Sequence, residues 1–396
     1  MTDLRTPAEP GEGARRDEGA PSSWPPPSPP FDSIETVLVA NGMTPVVADG
    51  WEKLPADPSD PVPPSKRSGP ARGRLHGRRI APRPSLSDSV FRSVSFSAGG
   101  ITVGIMLCVG FFLTINAGKA IGVAGPSFLI EQQWSPETGT FGIAAVLFGT
   151  VSIALIAMTV SVPLALGTSL LISEVLRGRL QRTVISLVDL MAAVPSVVFG
   201  LWGLFFLQEN IIPVSQWIST YFGWIPIFAV TDQTGQRLTE ASAVTSSAFI
   251  AGIVVALMVV PTQTSVMREA FSQAPLGERE GALALGSTRW GMIRAVVLPF
   301  GKGGVIGGTM LGLGRALGET IAVYMIISPI FSINWEVLKT GTNSVSALIA
   351  LRYGEANELG LSALMAAGLV LFLLTLVVNF TASNVVARSR SGASSQ

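Results

Sequence analysis

Apolar runs long enough to cross a lipid bilayer recur from about residue 96 onward, and no other feature restricts the fold of this chain so strongly. Six such runs lie near 96–117, 141–172, 183–207, 244–266, 299–328 and 359–385. A hydrocarbon core about 30 Å thick takes about 20 residues of helix, because backbone polar groups cannot stay unpaired in lipid. The second and fifth runs exceed that length, an excess that tilt or an overhang absorbs. With 48% hydrophobic and 13% charged residues, the chain has too little polar surface for an ordinary soluble domain. The expected fold class is an all-α membrane protein with six transmembrane helices.

Orientation follows from the basic residues, which are enriched in short cytoplasmic loops. Arg78, Arg79, Arg83 and Arg92 precede the first run, and Arg177, Arg179 and Arg182 follow the second. Arg268, Arg279, Arg289 and Arg294 follow the fourth, and Arg388 and Arg390 follow the sixth. The intervening loops hold only Lys119, then Arg237, then Lys339 and Arg352. Alternate loops are basic, which puts both termini in the cytoplasm. The six-span region is expected over 89–390, with 391–396 as a short C-terminal tail.

Residues 1–88 differ in kind. They carry 17 of the 27 prolines, a density that prevents helix and sheet and leaves nothing to offset the entropy of ordering. A disordered cytoplasmic tail is expected there. Its first thirty residues have no apolar stretch of the kind a cleavable signal peptide needs. The 33–51 stretch is apolar enough for a short docking motif, although its surroundings favour plain disorder.

Several chemistries can be set aside. The single cysteine, Cys108, lies in an apolar run, and the single histidine, His76, lies in the basic end of the tail. Neither an internal disulfide, a His-based metal site nor a Ser/His triad can be assembled from them, so no catalytic or metal-ligating residue is assigned. Net charge is +1 and the basic residues fall in short clusters, which points away from nucleic acid. A P-loop needs Gly-Lys followed by Ser or Thr. Here Gly118-Lys119 and Gly301-Lys302 are followed by Ala120 and Gly303, so ATP hydrolysis by that route is excluded and no nucleotide or other cofactor is assigned.

Two segments stand out from the apolar background. The first is the basic loop over about 268–299. Pro275 can open a helix with Glu278 and Glu280 in its early turns, where acids suit the helix dipole. Gly286 can end it in a left-handed conformation, and Ser287 can cap the next helix. Such a surface helix either fits a partner's groove or merely tidies the loop.

The second segment is the fifth run, which holds Arg315 and Glu319. A charge at the centre of a span costs about 2.5–3.5 kcal/mol, so these side chains should avoid lipid. At about 100° per residue, Gly304, Gly308, Gly312, Arg315, Glu319 and Ala322 share an arc of roughly 80° on a continuous helix. Either Arg315 and Glu319 form a self-satisfied i,i+4 ion pair, or they line a path in which the guanidinium offers planar donors to an oxyanion while the Glu319 carboxylate keeps it oriented and moderates its field. Pro195 can kink the third run, and Asp189 is expected to pair with a basic neighbour such as Arg182.

The spacing Glu280, Ala282, Gly286, nine residues, Val296, Leu298, Pro299 resembles the EAA loop of ABC-importer permeases. That pattern reads E-A-A, three residues, G, nine residues, I, one residue, L-P; here Gly281 and Val296 depart from it. With DLMAAVPSVVFGLWGLFFL from Asp189 and GLGRALGET around Arg315, the chain resembles the phosphate ABC-importer permease family, PstC type, over roughly residues 90–388. The resemblance implies a type I ABC-importer permease fold in the bacterial inner membrane. It implies that Arg315 and Glu319 act in phosphate passage, and that Glu280, Ala282, Gly286, Leu298 and Pro299 couple to an ATPase. The implied partners are a PstA-like second permease subunit, a PstB-like ATPase subunit, a PstS-like extracytoplasmic phosphate-binding protein, and membrane lipid. The long tail is not part of the family pattern. Two rivals are the same fold carrying another oxyanion or small solute, and an ATP-independent channel or secondary transporter, although no internal repeat of the latter kind is visible.

Overall fold

The structure, a computed structural model, describes residues 86–391 apart from 233 and 239. The tail expected over 1–88, with His76 and the 33–51 stretch, lies outside the described residues except for its last three, and 392–396 lie outside too. Residues 86–88 form the first turn of α1 (Leu86–Ala124). In chain order follow a two-residue antiparallel hairpin (β1, Trp134–Ser135; β2, Thr140–Phe141), α2 (Ala144–Val175), α3 (Gly178–Ala192) and α4 (Ser196–Asn210). Then come α5 (Ile212–Phe222), α6 (Ala248–Ser272), α7 (Leu276–Ala284), α8 (Arg289–Gly318), α9 (Ile321–Ile326), α10 (Val345–Arg352) and α11 (Glu358–Ser391).

Helices α1, α2, α6, α8 and α11 are each long and apolar enough to cross a bilayer. The third run is not one straight helix: α3 and α4 meet at 90°. Proline explains the place of the break. Pro195 is extended (φ −60°, ψ 144°), it has no N–H to donate, and its ring disfavours helical geometry at Val194. The kink expected at Pro195 is therefore a full corner. Asp189, on α3, accepts a hydrogen bond from Ser265 Oγ of α6 at 3.3 Å, and the ion pair expected with Arg182 is not among those of the described residues.

Packing order decides whether this bent pair crosses the membrane. Gly252 of α6 abuts Ile153 and Ile156 of α2, and further along Gln263 Nε2 lies 3.6 Å from Met158 Sδ. The two helices thus run parallel and leave the bilayer on the same side. The chain between them must return, so α3 and α4 together make the third crossing, and six crossings result. Helix α8 meets α6 in reverse order, with Gly304 at Ala270, Gly308 at Met267 and Gly312 at Gln263. It runs antiparallel.

The centre of the bundle is the apolar layer among α2, α6 and α8, where Ile153, Ala157, Ile250, Val254, Met258 and Ala316 are buried. Glycine makes this possible, since helices in lipid associate through close packing rather than through hydrophobic collapse. A Cβ on Gly304 would stand 2.0 Å from the Ala270 Cβ, and one on Gly312 would stand 2.1 Å from Gln263 Nε2. Helix α1 is peripheral and packs chiefly on α11, where Gly110 faces Phe372; Cys108 faces outward.

Gly304→Ala is expected to destabilise the purified protein by about 1–3 kcal/mol through overpacking, seen as a lowered Tm. Gly303→Ala, which meets nothing within 4 Å, should leave Tm unchanged or slightly raised.

Candidate functional site

The fifth crossing ends sooner than its apolar run. Helix α8 stops at Gly318, Glu319 is extended (φ −67°, ψ 126°), and the chain resumes as α9 at Ile321. The single helix expected through Arg315, Glu319 and Ala322 is thus broken at 319–320, and the i,i+4 ion pair is not formed. Arg315 turns to α6 and donates from Nη1 to Thr262 Oγ1 at 3.3 Å. Glu319 caps the next helix, with Oε1 accepting from the Ala322 N–H at 3.2 Å, while its carbonyl accepts from Ser346 Oγ at 2.7 Å. The two side chains serve different elements.

This arrangement is physically consistent for each group. Arg315 lies in the last turn of α8, where unpaired carbonyls favour a cation. Glu319 sits before the first turn of α9, where free N–H groups favour an anion. Arg315 is half-buried and belongs to none of the ion pairs of the described residues, which are Lys119–Glu358, Arg279–Glu174, Lys339–Glu336 and Arg352–Glu355. Its remaining N–H donors take no partner among the described residues, a geometry that can accept an oxyanion. One turn below, the fully buried Gln263 fills the surface that Gly312 leaves open.

The second cluster lies between α6 and α8. Helix α7 starts after Pro275, has Glu278 in its first turn, and ends at Gly286, whose φ of +85° is left-handed. The Gly286 N–H reaches Leu283 O and the Ser287 N–H reaches Ala282 O, closing the last turn as a glycine-terminated helix does. Thr288, not Ser287, caps the next helix, its Oγ1 accepting from the Gly291 N–H at 3.1 Å. Two residues of chain after Leu285 complete the reversal, which leaves Thr288 as the first residue with N-cap geometry. Helix α8 then passes through a wide π-type turn at Ile293–Val297, just before Pro299, which has no N–H to place.

The motif residues divide between the two faces of this loop. Ala282 and Leu298 pack on a buried cluster of Met267, Phe271, Met292, Ile293 and Val297. Glu280, Gly286 and Pro299 are exposed, beside exposed apolar side chains Leu276, Leu283, Leu285 and Trp290. Leu285 is 90% exposed and stands with Leu276, Leu283 and Trp290 as an exposed apolar set on this loop.

Residues 161–391 match the family described as binding-protein-dependent transport system inner membrane component. Among curated relatives, the phosphate transport system permease protein PstC 2 of Mycobacterium tuberculosis is 33% identical over 309 residues, 77% of this chain and 93% of that one. PstC of Mycobacterium leprae is 36% identical over 310 residues, again 77% and 93%, and PstC of Pasteurella multocida is 37% identical over 270 residues, 67% and 81%. The chain belongs to this permease family. A bacterial alginate ABC transporter, solved with its periplasmic protein bound to an alginate pentasaccharide, has a chain that superposes with a TM-score of 0.51 at 16% identity. That match covers 76% of this chain and 97% of the other, and shows the type I ABC-importer permease fold.

Sequence reasoning missed several groups that build the permease's two clusters. Thr262, Gln263 and Thr264 are consecutive polar residues in an otherwise apolar run, a signal that could have drawn attention to α6. Arg279 enters the sequence reading only as a marker of orientation, yet its guanidinium bridges the Glu174 carboxylate and the Phe271 carbonyl. No local pattern marks Glu174 as its partner.

Replacing Gly286 by Ala forces a Cβ into left-handed geometry at a cost of about 1–2 kcal/mol. Amide exchange at Leu285 and Ser287 should then rise roughly 5- to 30-fold. Gly277→Ala, with open space around it, should change neither.

Proposed function

We propose that this chain is the membrane permease subunit of an ATP-driven importer of inorganic phosphate, forming the translocation path with a second, PstA-like permease subunit. The observation that carries the reading is Arg315: a half-buried guanidinium inside the bundle that is held by a neutral threonine and by no carboxylate among the described residues. A cation kept uncompensated within apolar surroundings suits a dianionic or monoanionic oxyanion that arrives and leaves. The relatives named as phosphate transport permeases support phosphate as that anion. Glu319 shapes the path by fixing the helix break beside Arg315.

The chain is a transport subunit, and its motor lies elsewhere in this reading. Neither Gly-Lys pair is followed by Ser or Thr, so a PstB-like ATPase subunit supplies the energy. The exposed apolar loop around Leu285 and Trp290 is the natural seat for it, with Glu280, Ala282, Gly286, Leu298 and Pro299 as the coupling residues. That puts α7 and both termini in the cytoplasm, in line with the alternate basic loops. A PstS-like binding protein delivers phosphate from the opposite side.

Phosphate uptake by the complex in proteoliposomes, with sulfate and amino acids as competitors, tests the substrate. Arg315→Ala should cut uptake roughly 10- to 100-fold, the loss of a charge-assisted hydrogen bond of about 1.5–3 kcal/mol. Arg315→Lys should keep part of it. Normal uptake by Arg315→Ala, or transport of a competitor in preference to phosphate, defeats the proposal. Separately, Leu285→Asp should reduce copurification of the ATPase subunit at unchanged levels of the permease in the membrane.

A further inference from the structure

The ion pair between Arg279 and Glu174 stands apart from the other three of the described residues. Lys339–Glu336 and Arg352–Glu355 are local i,i+3 contacts, and Lys119–Glu358 is mostly exposed. Arg279 and Glu174 come from different elements, and their side chains are only 16% and 4% exposed. Arg279 Nη1 lies 3.2 Å from one carboxylate oxygen of Glu174 and donates to the other at 3.3 Å. Its Nη2 donates to the Phe271 carbonyl at the end of α6. One guanidinium therefore fastens α7 to both α2 and α6.

Glu174 sits in a π-type turn, Leu171–Val175, that ends α2, and the Ile172 carbonyl of that turn takes a hydrogen bond from Gln181 Nε2 of α3 at 2.9 Å. Stability alone is a poor reason to keep such a pair. Desolvating two charges consumes most of their attraction, and Arg279 Nε, also buried, has no hydrogen-bond partner among the described residues. What the guanidinium does supply is direction: apolar surfaces slide, whereas a rigid planar group with Nη1 on the Glu174 carboxylate and Nη2 on the Phe271 carbonyl ties two helix ends in one arrangement. Phe271 is nine residues along α6 from Thr262, the residue that holds Arg315, about 13.5 Å of rigid helix.

We infer that Arg279 and Glu174 form the strut that carries displacement of the surface helix α7 into α2 and α6, and so to the Thr262–Arg315 contact. They are positioning residues, remote from the anion. This inference rests on the proposed function for the source of the displacement. A shift of α7 pulls the end of α6 by a charged bond to its terminal carbonyl, and pulls α2 by its last turn.

The test uses the full complex in proteoliposomes, carrying Glu174→Gln or, independently, Arg279→Gln. Two readouts are taken: phosphate moved per ATP hydrolysed, and the ATP-dependent change in distance between spin labels on cysteines at the exposed positions Gln273, just past the end of α6, and Lys302 of α8, in a Cys108→Ser background. Copurification of the ATPase subunit should be unchanged. Phosphate per ATP should fall roughly tenfold, within the range of typical coupling strengths, and the distance change should be lost. A merely structural pair would lower yield while leaving both readouts as in the wild type, and that result in both variants overturns the inference. A wild-type complex that shows the distance change without moving phosphate overturns the substrate assignment instead, and the strut is then judged on the distance change alone.

Discussion

The close approach of α8 to α6 is the contact on which the rest of the structure depends. Lipid offers no hydrophobic drive between helices, so their association rests on backbone proximity and complementary surfaces. Gly304, Gly308 and Gly312 bring α8 onto Ala270, Met267 and Gln263, with no room for a Cβ at the first and third of these positions. The same proximity sets Arg315 against Thr262 one turn further on. A charged group in an apolar bundle is tolerable because it meets Thr262 of another helix and the carbonyl end of its own.

Helix ends do much of the electrostatic work. The break at 319–320 creates a C-terminus beside Arg315 and an N-terminus beside Glu319, and each charge lies where the local dipole favours it. An unbroken helix would have tied the two side chains to each other. Separated, they leave a cation with donors to spare and a carboxylate committed to the backbone. The corner at Pro195 acts on a larger scale: it turns the third crossing through 90° and lets α4 set Gly200 against Ala322, so that α9 is packed on the same core.

The apolar runs, the surface helix in the loop before α8 and the left-handed glycine were all legible in the chain, because each depends on near neighbours. Apolar length, a Pro-opened helix and a Gly terminator act within a few residues. The errors share one cause. Asp189, expected to pair with Arg182 seven residues away, is met by Ser265 from another helix, and the cap expected of Ser287 falls to Thr288 because the turn after Gly286 takes up an extra residue. The continuous helix expected through Arg315 and Glu319 is broken because the chain bends between them, and nothing in GLGRALGET distinguishes a helix that continues from one that ends at its last glycine. Glu174 was unreadable as a partner of Arg279, since their meeting depends on how α2, α6 and α7 are stacked.

The amino-acid order by itself determined that this chain carries six apolar runs of spanning length, that its basic loops alternate, that it lacks a P-loop, and that one loop carries a glycine-hinged surface helix. Hydropathy, charge and turn chemistry are local quantities, and they survive reading in one dimension. Tertiary structure alone decided which charges meet. Whether Arg315 faces a carboxylate or a threonine, and whether Arg279 is free or clamped between two helix ends, depends on distances of a few ångströms between residues tens of positions apart. Electrostatic and hydrogen-bond energies change steeply over such distances, so only the packed bundle could assign those partners.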